Sequence, residues 1–140
     1  MSAEAVIHAW WADATDALAV ALNTLLPVAK VATGTQFAEA DDAIHAGLPF
    51  ASLNRESSND AYRTNCGRTD NTLIRLQIWH EIFDAGNAIK EAAIACFDNR
   101  EYATSDRQIV SIRRSNDFNL QEDDGVWQFL IDFIVVNRAL

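Results

Sequence analysis

The side chains best equipped for chemistry in this chain of 140 residues are three histidines, two cysteines, a few serines and two acidic clusters. His8, His45 and His80 occur singly, with no His-x-x-x-His or Cys-x-x-Cys spacing, so no zinc-type ligand set is encoded locally. His45 stands near Asp41 and Asp42, where a solvated acidic loop accounts for the cluster better than a metal does. His80 lies on the apolar side of a strand pattern, the usual place of a satisfied core histidine. Ser52, Ser57 and Ser58 have no nucleophile-elbow context. Glu122-Asp123-Asp124 precedes Gly125, but the alternating oxygen ligands and closing Glu of a calcium loop are missing, so charge there keeps a turn soluble. Cys66 falls in a polar stretch and Cys96 on the apolar side of a helix, which predicts reduced thiols, no disulfide scaffold and folding in a reducing cytoplasm. Arg113 and Arg114, with Arg107, form the basic cluster and are expected to meet acids across an interface. Neither a metal nor a cofactor is expected.

Composition points the same way. Hydrophobic residues make up 49% and charged residues 22% of the chain, ordinary values for a globular protein, and the length suits one domain spanning 1–140. The net charge of -9, from 20 acids against 11 bases, would repel nucleic-acid phosphates and disfavours specific DNA binding. It suits a surface past which DNA slides. The N-terminal residues show no secretory pattern, and no stretch reaches the roughly 18 apolar residues of a membrane span, so no membrane partner is expected.

These residues must be positioned by a short series of elements. Val6, Trp10, Ala14, Ala17, Leu18, Ala21, Leu22 and Leu25 recur at spacings of three and four, which predicts one helix over 3–26, stopped by Pro27. Residues 28–47 are less regular, with a short acidic helical turn over 38–46. Leu48-Pro-Phe-Ala-Ser-Leu-Asn54 reads as a strand that Pro49 places at a sheet edge or strand start. From 55 to 71 the chain turns polar, and its position between two strand patterns predicts an arm projecting from a hairpin. In Thr72–Ile82, Ile74, Leu76, Ile78, His80 and Ile82 share one face, while Arg75, Gln77, Trp79 and Glu81 share the other. Asp84 is the expected N-cap of a helix from Ala85 to Asp98, with Lys90 and Glu91 off its apolar side. A third strand covers Ile109–Asn116, an acidic loop Asn119–Gly125, and a last strand Val126–Val136, which places Trp127, Phe129, Ile131, Phe133 and Val135 together.

The fold class that follows is α+β: a two-layer sandwich of about four strands, mixed or antiparallel, with two helices on one face and a long hairpin arm. The last strand would run about 37 Å at ~3.4 Å per residue, too long for a short helix layer to cover fully. Its second face places Trp79, Leu130, Ile134 and Val136 beside Arg75, Gln77, Gln128 and Asp132, which predicts a surface for partners. The candidate contact residues are Tyr62, Arg63 and Arg68 on the arm, Arg75 and Trp79 on that open face, Arg113 and Arg114 in the basic cluster, and Glu122, Asp123 and Asp124 at the acidic tip.

This succession resembles the tail completion, or tail-terminator, family of long-tailed bacteriophages. The resemblance covers nearly the whole chain and rests on the Ala-rich first helix, the Leu48-Pro-Phe-Ala-Ser-Leu53 strand and the polar arm. It continues through Leu73-Ile-Arg-Leu-Gln-Ile-Trp-His80, Asp84-Ala-Gly-Asn-Ala-Ile-Lys-Glu-Ala92 and the final Trp127-Gln-Phe-Leu-Ile-Asp-Phe133. It implies a non-enzymatic virion subunit, assembled in the cytoplasm of a bacterial host, that forms a homo-oligomeric ring of six at the head-proximal end of the tail. Its partners would be further copies of itself, the tail tube protein and the head-connector or stopper proteins, with DNA passing through the channel unbound. Competing readings are a head-side adaptor or tube subunit of the same virion, and a small cytoplasmic enzyme using His80, Glu81 and Asp132.

Overall fold

The computed structural model describes residues 3–33, 47–64, 67–103, 108–121 and 125–139. Their elements run α1 (Ala3–Trp11), α2 (Ala17–Leu25), a 3-10 turn at Val28–Lys30, β1 (Val31–Thr33), β2 (Phe50–Thr64), β3 (Gly67–His80), α3 (Phe83–Phe97), β4 (Arg100–Ala103), β5 (Gln108–Gln121) and β6 (Trp127–Ala139). The strands form one curled, mixed sheet of six in the order β1-β2-β3-β6-β5-β4. The expectation of four strands is corrected by β1 and β4, two edge strands of three and four residues. Such short runs are too brief to show an alternation in sequence. The parallel junction stands at β1–β2, while the two long hairpins meet through antiparallel β3–β6.

One face of the sheet carries the helices and the main core. Ala51, Leu53, Ile74, Leu76, Ile78, Phe129, Ile131, Phe133 and Val135 meet Val6, Ile7, Trp11, Leu22, Ile89, Ala93 and Phe97 there, all buried. The period-2 pattern of β3 and β6 therefore gave this inward set, except that Ile82 lies past the end of β3 and is exposed. Phe97 sits between layers, with its ring 5.9 Å from that of Trp11 and 6.0 Å from that of Phe133. Aromatics so enclosed are each worth about 3–5 kcal/mol against truncation to Ala.

The first helix differs from expectation. It breaks after Trp11, because Asp13 accepts from the backbone and hydroxyl of Thr15 at 2.8 and 2.6 Å and closes a turn. Asp16 then caps α2 by accepting from Leu18 N and Ala19 N at 2.9 and 3.2 Å. The break turns Trp11 inward, where its Nε1 donates to Leu26 O at 3.0 Å, and leaves Trp10 half-buried. Apolar spacing alone reads through such a break, although Asp13-Ala-Thr-Asp16 carries the side chains that make it.

In α3 the buried stripe is Gly86, Ile89, Lys90, Ala93, Cys96 and Phe97, so Lys90 lies on it and Ala88 off it. The helix begins two residues earlier than expected. Ile82 is its N-cap with no side-chain bond, and Asp84 sits in the first turn, where its charge suits the helix dipole. Gly86 is what lets this end approach the sheet: a Cβ there would stand 2.2 Å from Phe129 Cε2 and 3.0 Å from His80 Cβ.

The polar stretch 55–71 is strand on both sides. β2 and β3 stay paired out to Thr64↔Gly67, with bulges at Arg55/Ser57 and Asp60/Tyr62. Because β6 follows β3 as far as Thr69↔Arg138, most of that ribbon is sheet, and only its last residues run past β6. β5 likewise continues beyond Asn116 to Gln121 through a bulge at Arg114/Asn116.

Candidate interaction surface

The face turned away from the helices holds a polar seam. Arg75 on β3 grips Asp132 on β6 through Nε–Oδ1 at 2.8 Å and Nη2–Oδ2 at 3.2 Å, with the Phe118 ring 5.7 Å from its guanidinium carbon. The two residues are direct register partners, so antiparallel pairing alone brings fork and carboxylate together. Beside them Asn54 Nδ2 donates to Ser52 Oγ at 3.1 Å and Gln77 Oε1 at 3.4 Å, and all three residues are buried. At one end Trp79 is fully enclosed with Val126 and Leu48, a second small cluster on this face. The expected open apolar surface is therefore partly closed: Trp79 and Leu130 are buried, while Ile134 and Val136 are half-buried.

Larger apolar exposure lies elsewhere. Leu18, Val20 and Leu25 on the outer side of α2 are 41–46% exposed, and Ile82, Phe83 and Leu120 mark the end of the sheet where α3 begins. No charged residue occurs in α2 itself. At the opposite end of β5 a cavity of about 330 Å³ opens among Asn99, Glu101, Ser111, Arg113, Ile134 and Val136.

The sequence-predicted contact residues fall into separate groups. Arg113 stands exposed at the rim of that cavity, and no ion pair of it occurs among the described residues. Arg114 points to the helix side; its Nη1 meets Asp117 Oδ1 at 3.2 Å, and its backbone N donates to Asp98 at 2.8 Å. Tyr62, Arg63 and Arg68 belong to the ribbon, in the registers Tyr62↔Thr69 and Arg63↔Arg68. Glu122, Asp123 and Asp124 lie outside the described residues, as do His45, Cys66 and Arg107.

Several structural residues were not legible as such. Lys90 crosses from α3 to β5 and donates to Asp117 Oδ2 and Asn119 Oδ1, both at 3.2 Å. Arg100 pairs with Asp16 and stacks 4.9 Å over Trp10, tying the helix break to β4. Burial would push Asp16 up, yet hydrogen bonds from Ala19, Arg100 and Leu18 outweigh it and hold its carboxyl below the usual range. His80 Nδ1 accepts from Ile82 N at 3.0 Å, and burial holds its ring below the ordinary histidine range against the pull of Glu81. A neutral ring matches that acceptor role. His80 and Asp132 lie on opposite faces of the sheet, and the carboxylate is already held by Arg75. Among the described residues no group of three His, Cys, Asp or Glu could hold a metal, and no helix is long and apolar enough to cross a membrane.

What this arrangement can do is bind. Comparison with known proteins decides the family, since the profile of tail completion protein gp17 matches residues 16–137. The chain belongs to the tail completion protein gp17 family. Among solved structures the fold is similar to a chain in the virion of a native gene transfer agent particle, with a TM-score of 0.71 over 99% of this chain and 96% of that one. Sequence identity there is 13%, so this likeness speaks for the fold alone. No curated protein matches the chain. A tail completion protein is a structural part of a virion, and the described surface suits that role.

Proposed function

We propose that this tail completion protein closes the head-proximal end of a phage tail as a ring of its own copies, six in number, and joins the tail tube to the head connector. The observation that carries this reading is the family match across residues 16–137. The geometry supports it: apolar exposure sits on α2 and at both ends of β5, on separate sides of the subunit, which suits contact with more than one neighbour. The charge of -9 suits a channel through which DNA passes without being held. The ribbon tip carrying Tyr62, Arg63 and Arg68 is positioned to reach a neighbouring copy or the tube. Trp79, Arg75 and Arg114 act in this reading mainly by fixing the sheet that presents those surfaces.

The test is to locate the protein in assembled particles by electron microscopy with a tagged copy. Label confined to the tail's head-proximal end is the expected result. Label spread along the tube would make it a tube subunit, and absence from the particle would refute the reading.

A further inference from the structure

Ile82, the N-cap residue of α3, is held on both sides. Its carbonyl accepts the first helical bond, from Gly86 N at 3.0 Å, and its own N–H donates to His80 Nδ1 at 3.0 Å. The His80 side chain lies against that first turn, since a Cβ on Gly86 would stand 3.0 Å from His80 Cβ. Ile82 supplies no side-chain cap, so the ring nitrogen of His80 is the side-chain tie at the corner between β3 and α3. The next residue, Phe83, sets its ring edge-on to Trp127 at 4.8 Å and tilted to Phe129 at 5.5 Å.

Only a neutral imidazole can make this tie. On protonation both ring nitrogens carry hydrogens, so Nδ1 turns from acceptor to donor and confronts the Ile82 N–H. The new positive charge also stands at the N-terminal end of α3, where the helix dipole is already positive. The acids nearest in the chain are Glu81 and, in the first turn of α3, Asp84. Across the sheet the register partners are Trp127 on β6 and, beyond it, Gln121 on β5, both uncharged. Glu122, Asp123 and Asp124, which precede β6, lie outside the described residues. Burial outweighs the pull of Glu81 and holds the ring below the ordinary histidine range. Its contribution to stability is therefore complete above the unfolded value near 6.5 and is lost as pH falls through the folded one.

We propose that His80 is an acid-released catch: neutral, it pins the first turn of α3 to β3, and protonated, it frees that turn and draws Phe83 away from Trp127. The catch does not depend on how copies of the chain assemble. What it controls is the shape of the end of the sheet where Ile82 is 60% and Phe83 37% exposed.

The experiment follows the full-length protein by NMR and amide hydrogen exchange between pH 7.5 and pH 5, beside His80→Asn and His80→Ala. Asn places Oδ1 where Nδ1 stands and does not titrate, whereas Ala removes the acceptor at every pH. In the wild type, protection of the Ile82 N–H, referred to the intrinsic exchange rate at each pH, should fall by about threefold or more on acidification. The Overhauser contact between the Phe83 and Trp127 rings should weaken over the same range. In His80→Asn protection should hold across the range, and in His80→Ala it should be low throughout. Parallel loss in wild type and His80→Asn would assign the acid effect to another group and overturn the catch. Undiminished protection in His80→Ala would overturn it too, and a ring contact that persists in acid would overturn the release of Phe83. Should His80→Ala fail to fold, the comparison of wild type with His80→Asn decides alone.

Discussion

Asp16 shows how one residue can serve two elements. It caps α2 and binds Arg100 on β4, so Asp16→Ala removes a cap and leaves Arg100 without its partner carboxylate. The expected loss is about 1–2 kcal/mol in urea denaturation, of the size of an N-cap deletion. Its pKa is lowered in the fold, so its contribution is present above the unfolded carboxylate value near 4 and lost as pH falls through the folded one. The wild type should therefore lose more stability than Asp16→Ala as pH falls below about 4, which paired acid titrations by circular dichroism would show. Cys96 behaves oppositely. Burial pushes its thiol up to about 12, so in a Cys66→Ser background it should resist iodoacetamide at pH 8 until urea unfolds the chain. Fast native labelling would place that helix face in solvent. The sequence put Cys96 on an apolar face but gave no sign of the Asp16–Arg100 pair, whose members are 84 positions apart.

At the scale of elements, α3 rests on a close approach to the sheet. Gly86→Ala would gain about 1 kcal/mol in an exposed helix, yet here the new methyl meets Phe129 Cε2 at 2.2 Å. Overpacking of that kind costs about 1–3 kcal/mol, so the expected net effect is destabilisation, read as a lower melting temperature. A raised one would mean that the helix end lifts freely. The ribbon makes a second prediction. Replacing residues 61–68 by a two-residue turn leaves β3 paired to β6 from Asp70 onward, so the fold should persist while assembly weakens. Unfolding on that deletion would make the tip part of the core. Long strands with a clean alternation were legible because burial on one face imposes a period of two. The helix break, β1 and β4 were not, because a local cap or a three-residue edge strand leaves no periodic trace. The polar ribbon was seen as an arm rather than as strand because its pairing is held by backbone hydrogen bonds, which composition does not display.

Across the whole molecule, structure and family agree on a part that works by contact. The helix side is filled by a contiguous core, and the opposite face is tied by Arg75–Asp132 and the Asn54 seam. What remains available is the outer side of α2, the ribbon tip and the two ends of β5. The second face of the long strands suggested a surface for partners, yet Trp79, Leu130, Gln77, Gln128 and Asp132 on it are buried, which no single strand pattern encodes. The most direct measurement is native mass spectrometry of the purified full-length protein over a range of concentrations. A closed species near six times the 15.5 kDa subunit is the expected result. A mass of one subunit at every concentration, with the protein also absent from tail ends, would contradict the account.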